Sequence, residues 1–113
     1  MKGNNDIYVL EADGEYRVRP SVWSSPGQKG APVRVRNATS KTVKIVVPGT
    51  LTGTGKPASL SIPAGKKAAV DLRASEVVVV DKYWVQVQLA GNPDRWVDAK
   101  GESDPIIIID PAL

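Results

Sequence analysis

Apolar and polar residues alternate almost one for one through the hydrophobic segments of this chain, and no segment shows the period of a helix. Residues 32–47, PVRVRNATSKTVKIVV, show it most fully. Val33 and Val35 alternate with Arg34 and Arg36; a polar run follows at residues 37–42; then Val43, Ile45 and Val47 resume around Lys44. Side chains of a strand point to opposite faces in turn, so each half is a strand with one buried face. The two halves read as a hairpin whose loop is too long for a two-residue turn.

Other segments follow the same rule. Residues 7–10 and 15–19 flank Asp13-Gly14, a strong hairpin signal. Pro20 then stops ladder pairing or marks an edge. Residues 24–31, SSPGQKGA, read as a loop with Trp23 at its entrance. Residues 48–57, PGTLTGTGKP, read as the most flexible interior stretch. Their Gly49, Gly53, Gly55 and Lys56 lack the frame of a phosphate loop, Pro57 stands where Ser or Thr is needed, and no helix follows.

Residues 59–62 and 67–72 read as a hairpin around Pro63-Ala64-Gly65-Lys66. The four valines at 77–80 suggest burial on both faces or a covered rim strand. Residues 83–89, YWVQVQL, alternate cleanly: Tyr83, Val85, Val87 and Leu89 on one face, Trp84, Gln86 and Gln88 on the other. Residues 95–97 add a short strand after the turn at 91–94. The isoleucines at 106–109, between Pro105 and Pro111, form a last strand that pairs briefly and hides both faces.

The fold expected is therefore all-β: one antiparallel, Greek-key β-sandwich domain over residues 1–113, with eight or nine short strands and a loose N-terminus at residues 1–5. At 113 residues the chain can bury a core without metal or disulfide help. Its core must be aliphatic, since there are three Trp, three Tyr and no Phe.

Chemistry is bounded by two absences. With no His and no Cys, the chain has no thiol nucleophile, imidazole base, thiolate–imidazole zinc site or type-1 copper site. No cofactor or metal is expected. No apolar run reaches the ~20 residues of a membrane helix. The N-terminal residues lack the apolar stretch of a secretory signal, so the chain is either intracellular or begins after a removed signal, and localisation stays unread. The formal charge of +3 comes from cations spread along the sequence, which argues for a solvated surface and against nucleic acid as a partner.

The stretch VRVRNATSKTVKIVV, followed by LSIPAGKKAAVDL and YWVQVQL, resembles the cupredoxin-like β-sandwich: an early strand ending in Asn, a turn of the Pro-Ala-Gly type before an apolar strand, and a late strand containing Tyr. Immunoglobulin-like sandwiches share this punctuation. The resemblance implies the fold alone, because the family binds copper through two His and a Cys, usually with an axial Met. Here His and Cys are missing and the one Met is Met1. No ligand residue carries over.

Four groups of residues are candidates for function. Trp84 with Gln86 and Gln88 could stack on a sugar and bond its hydroxyls, with Trp23 or Trp96 as a second platform; equally, Trp84 could pack under a loop or against another subunit. Arg17, Arg19, Arg34, Arg36 and Lys44 form a basic stripe if their strands are neighbours, or else soluble outward positions that discourage edge pairing. Asp94, Asp98, Glu102 and Asp104 gather near one loop but follow no calcium-loop pattern and read as solvated. Ile106, Ile107, Ile108 and Ile109 are read as an assembly strand that pairs with its own sheet edge or a neighbour's. Apart from these groups, Asn37-Ala38-Thr39 matches a glycosylation acceptor. The sequence thus favours a non-enzymatic module that binds a protein partner or assembles as a homo-oligomer, with carbohydrate binding as the alternative.

Overall fold

A computed structural model describes residues 6–27, 30, 32–89, 94–99 and 104–112. The expected loose N-terminus at residues 1–5 lies outside them. Among the described residues there is no helix. The described residues form eleven strands in three sheets, none closed into a barrel. The first sheet contains β1 (Ile7–Ala12), β2 (Glu15–Arg19), β4 (Val33–Asn37) and β7 (Lys67–Val70), in the order β2-β1-β4-β7. The second contains β5 (Val43–Val47), β6 (Ala58–Ile62), β9 (Trp84–Gln88) and β10 (Trp96–Asp98), in the order β10-β9-β5-β6. The third is β3-β11-β8, from β3 (Val22–Pro26), β11 (Ile106–Asp110) and β8 (Val79–Lys82).

The strand count exceeds eight or nine partly because β3 occupies part of the segment read as a loop. Its Ser24, Ser25 and Pro26 hide a strand from an apolar count, although Ser25 is buried. Pairing also departs from the purely antiparallel expectation: β1 runs parallel to β4, and β3 parallel to β11. Parallel neighbours require a crossover. Here β2 and β3 intervene before β4 returns beside β1, and most of the chain separates β3 from β11.

Alternation correctly gives the buried faces, but it does not choose partners. β4 and β5 are not a hairpin: β4 pairs with β1 and β7, and β5 with β6 and β9. β6 and β7 likewise sit in different sheets. Both misread connections are sheet-to-sheet crossings, and they are tied together at Asn37. Its backbone N–H donates to Lys66 O (2.8 Å), and Gly65 N–H donates to its carbonyl (3.0 Å). Its side-chain amide donates to Lys41 O (2.7 Å) and Ile62 O (2.9 Å), while its Oδ1 accepts from Thr39 N (2.9 Å) and Thr39 Oγ1 (2.7 Å).

The inward residues of all three sheets meet in one hydrophobic cluster. Ile7, Val9, Val33 and Val35 come from the first sheet, Val43, Ile45, Val85 and Val87 from the second, and Trp23, Ile107 and Ile109 from the third. Residues 48–57 are not the loose stretch expected. Leu51 is fully buried in the core, and Arg73 N–H donates to its carbonyl (2.9 Å). Thr52 bridges to Leu72, its hydroxyl donates to Lys56 O (2.6 Å), and Thr50 Oγ1 donates to Asp81. The loop closes so tightly that a Cβ on Gly49 would lie 2.4 Å from Gly55 O.

Candidate functional site

Residues directly paired across a sheet share a face, so the strand registers define the outward surface of β10-β9-β5-β6. One row is Asp98–Gln86–Lys44–Ser61; Trp96 and Gln88 pair on one side of it, and Trp84–Val46–Ser59 lies on the other. Trp84, Gln86, Gln88 and Trp96 therefore stand on one surface, as their alternation implied for the first three. Trp84 is the open ring, 50% exposed. Trp96 carries the Lys44 ammonium over its ring, 4.8 Å from the centroid, a cation–π contact that occupies that platform. Strand spacing and rise put the two tryptophans about 14 Å apart, the reach of a short oligosaccharide.

Beside Trp84, where β10 ends, a cleft of about 240 Å³ opens between β9 and the segment at Asp104 and Pro105. Asp98 lines it and lies 3.4 Å from the donating Gln86 amide. Lys82 and Asp104 form an ion pair at its rim (3.1 Å). Tyr83, also lining it, is buried with its hydroxyl unbonded, and burial pushes that group's ionisation upward. A ring and carboxylates at one cleft, with the Gln86 amide beside Asp98, can stack on and hydrogen-bond a hydroxyl-rich molecule. Among the described residues no group of three or more His, Cys, Asp or Glu is placed to hold a metal.

The other candidates separate in space. Trp23 is 4% exposed and faces the core, so it is no second platform. Asp94 stands at the opposite end of β10 from Asp98 and Asp104, while Glu102 lies outside the described residues. Asn37 is 1% exposed with its amide fully engaged, so the glycosylation pattern falls on a structural hub and not on an accessible acceptor.

The four isoleucines form the middle of a sheet. β11 is bonded to β3 on one side and β8 on the other, over most of its length, so it offers no free edge for strand exchange. Ile107 and Ile109 are fully buried, whereas Ile106 and Ile108 point outward and are half-buried. They share the outer face with Val22 and Val80, in the rows Val22–Ile106–Lys82 and Ser24–Ile108–Val80. The valines expected to be hidden are open instead: Val77, Val78 and Val80 are all exposed, Val80 at 56%. Val80 is open because it stands on the outer face of the sheet beside Ile108, while Val77 and Val78 precede β8 and lie outside the sheet. Sequence reasoning missed this patch, although Val22 two residues after Pro20 and the valine run were its visible signals.

The basic stripe is real but smaller by one. Arg17 and Arg19 of β2 and Arg34 and Arg36 of β4 share the outer face of the first sheet, while Lys44 belongs to the second. Tyr8 lies between Arg19 and Arg36, and Lys67 extends the row. Asp6 bridges the two β4 arginines, with Arg34 Nε donating to Oδ1 at 3.0 Å and Arg36 Nε donating to Oδ2. The Arg36 hydrogen bond is the main reason the Asp6 carboxyl is held below its ordinary value.

Compared with known proteins, the chain matches no family model and no curated relative.

Proposed function

We propose that this chain is a non-enzymatic β-sandwich module, cupredoxin-like or immunoglobulin-like in layout, whose work is binding and whose first partner is a second copy of itself. The sandwich reading is supported by three sheets contributing to one core, and the non-enzymatic reading by a sequence without His or Cys. One observation carries the self-association. Of six exposed large hydrophobic residues among those described, four (Val22, Val77, Val78 and Val80) lie on or beside the β3-β11-β8 sheet. Val22 and Val80, with Ile106 and Ile108, make an apolar outer face on that sheet, and Val77 and Val78 are exposed just before β8, the kind of surface that marks an interface.

The face is also self-complementary. Lys82 closes one end of it, and Asp110, paired with Pro26, closes the other. Two copies related by a two-fold axis, with strands antiparallel across the contact, bring each Lys82, paired with Asp104 of its own chain, towards the partner's Asp110 as well. Assembly thus acts through the outer side of β11 and not through its edge. Deleting residues 106–113 is a poor test, since it removes a central strand and two core side chains.

The direct test is Val80→Lys, which places a charge on an already exposed position. Light scattering should give a multiple of the 12.1 kDa chain mass for the native protein and a single chain for the variant. A native protein that stays single at high concentration contradicts the proposal.

A second reading is favoured by the shared face of Trp84, Gln86, Gln88 and Trp96: a carbohydrate surface in which Trp84 stacks on a sugar while Gln86, Asp98 and Lys44 bond its hydroxyls. Soluble glycans should then change tryptophan fluorescence. Trp84→Ala should abolish the change with the fold intact; an unchanged response in that variant rejects this reading.

A further inference from the structure

The sequence scatters its cations, but the fold gathers them. Arg17, Arg19, Arg34, Arg36 and Lys67 all face outward from β2-β1-β4-β7, outnumbering the described carboxylates on that side, Asp6, Glu15 and, just past β7, the exposed Asp71. One row runs Arg19–Tyr8–Arg36–Lys67 across all four strands, a span of about 14 Å at ordinary strand spacing. Arg19 forms no ion pair with a described residue.

Tyr8 is 41% exposed in the middle of that row, and the Arg36 guanidinium sits 5.9 Å from its ring centroid. Beside them an open groove of about 530 Å³ is lined by Tyr8, Arg36, Lys66 and Lys67 together with the Asn37 and Gly65 turns. Guanidinium forks match phosphate oxygens, and an aromatic ring next to a guanidinium plane gives unpaired bases two surfaces to stack on. An acidic polysaccharide could use the cations, but a flat base covers a Tyr ring over its whole face, which a puckered sugar ring does not. A sheet whose strands are flanked by neighbours cannot enter a duplex groove as a free ribbon can, whereas a single strand can lie across it.

We infer that the outer face of β2-β1-β4-β7 is a binding surface for single-stranded nucleic acid, with Arg17, Arg19, Arg36 and Lys67 on phosphates and Tyr8 stacked on a base. This face is independent of the assembly face and of the Trp84 face, so either reading can fail without the other.

Fluorescence anisotropy with a labelled oligothymidylate of about 16 nucleotides tests it. The native protein should bind at low salt and weaken steeply as salt rises. The double variant Arg17→Ala, Arg19→Ala should lower affinity at least tenfold and flatten the log–log salt slope by roughly 0.7 for each phosphate left without its cation. Tyr8→Ala should weaken binding with the slope unchanged, because stacking releases no counterions. Lys44→Ala, on another sheet, should change little. The inference is overturned by no binding at low salt, by arginine variants that bind as well as the native protein, or by full affinity in Tyr8→Ala. Binding of a sulfated polysaccharide without binding of the oligonucleotide also overturns it.

Discussion

Asn37 ties together segments that are distant in sequence. It satisfies two carbonyls from different segments and accepts two bonds from Thr39, all while buried. Replacing it with Ala leaves the Lys41 and Ile62 carbonyls and the Thr39 amide without the amide and carbonyl that serve them here. At about 1 kcal/mol per hydrogen bond removed, with an added cost for orphaned buried groups, Asn37→Ala should destabilise the fold by about 3 kcal/mol in urea unfolding. Tyr83 is the converse case, since its buried hydroxyl bonds nothing. Tyr83→Phe should therefore leave the urea midpoint unchanged or raise it; a clear loss of stability would show that the hydroxyl has a partner after all. Neither residue announced its role in the sequence. Asn37 read as a loop polar residue or a glycan acceptor, because nothing local reveals that its amide reaches Ile62, 25 positions away. Trp23 and Trp84 are equally opaque by type; only the two-residue pattern around Trp84 marked it as outward.

At the scale of elements, alternation specified faces well and partners poorly. Val33, Val35, Val43, Ile45, Val85 and Val87 all point inward as their spacing requires, and Asp13-Gly14 makes its hairpin with φ of 53° and 78°. The left-handed conformation that this turn demands is one Gly adopts freely and Asp tolerates. Which strands pair is a non-local matter, and the β4–β5 and β6–β7 crossings show that a polar loop between two alternating runs fits a sheet change as readily as a hairpin. The contact between β1 and β4 has its own electrostatic lock in Asp6. Its folded carboxyl lies below the ordinary value of 3.8, so the lock contributes fully above that pH. The contribution is lost as pH falls through the lower folded value. Acid titration of the urea midpoint should show a steeper decline below pH 3.8 in the native protein than in Asp6→Asn; parallel curves would mean the Asp6 contacts do not contribute.

Across the whole molecule, the three sheets turn one face each to a common core and present three outer faces of different character: cationic with one tyrosine, amide-rich with tryptophan, and apolar. That division was only partly legible, because Ile106 to Ile109 looked like a strand hiding both sides, while in the fold it sits mid-sheet with alternate isoleucines outward. The assembly proposed through that outward side would pair opposite ends, Lys82 of one copy with Asp110 of the next. A charge swap measured by sedimentation equilibrium tests this most directly. Lys82→Asp or Asp110→Lys alone should weaken the assembly at least tenfold by setting like charges against each other, and the double variant should restore most of it. Single variants that assemble as tightly as the native protein, or a double variant no better than either alone, would contradict the account.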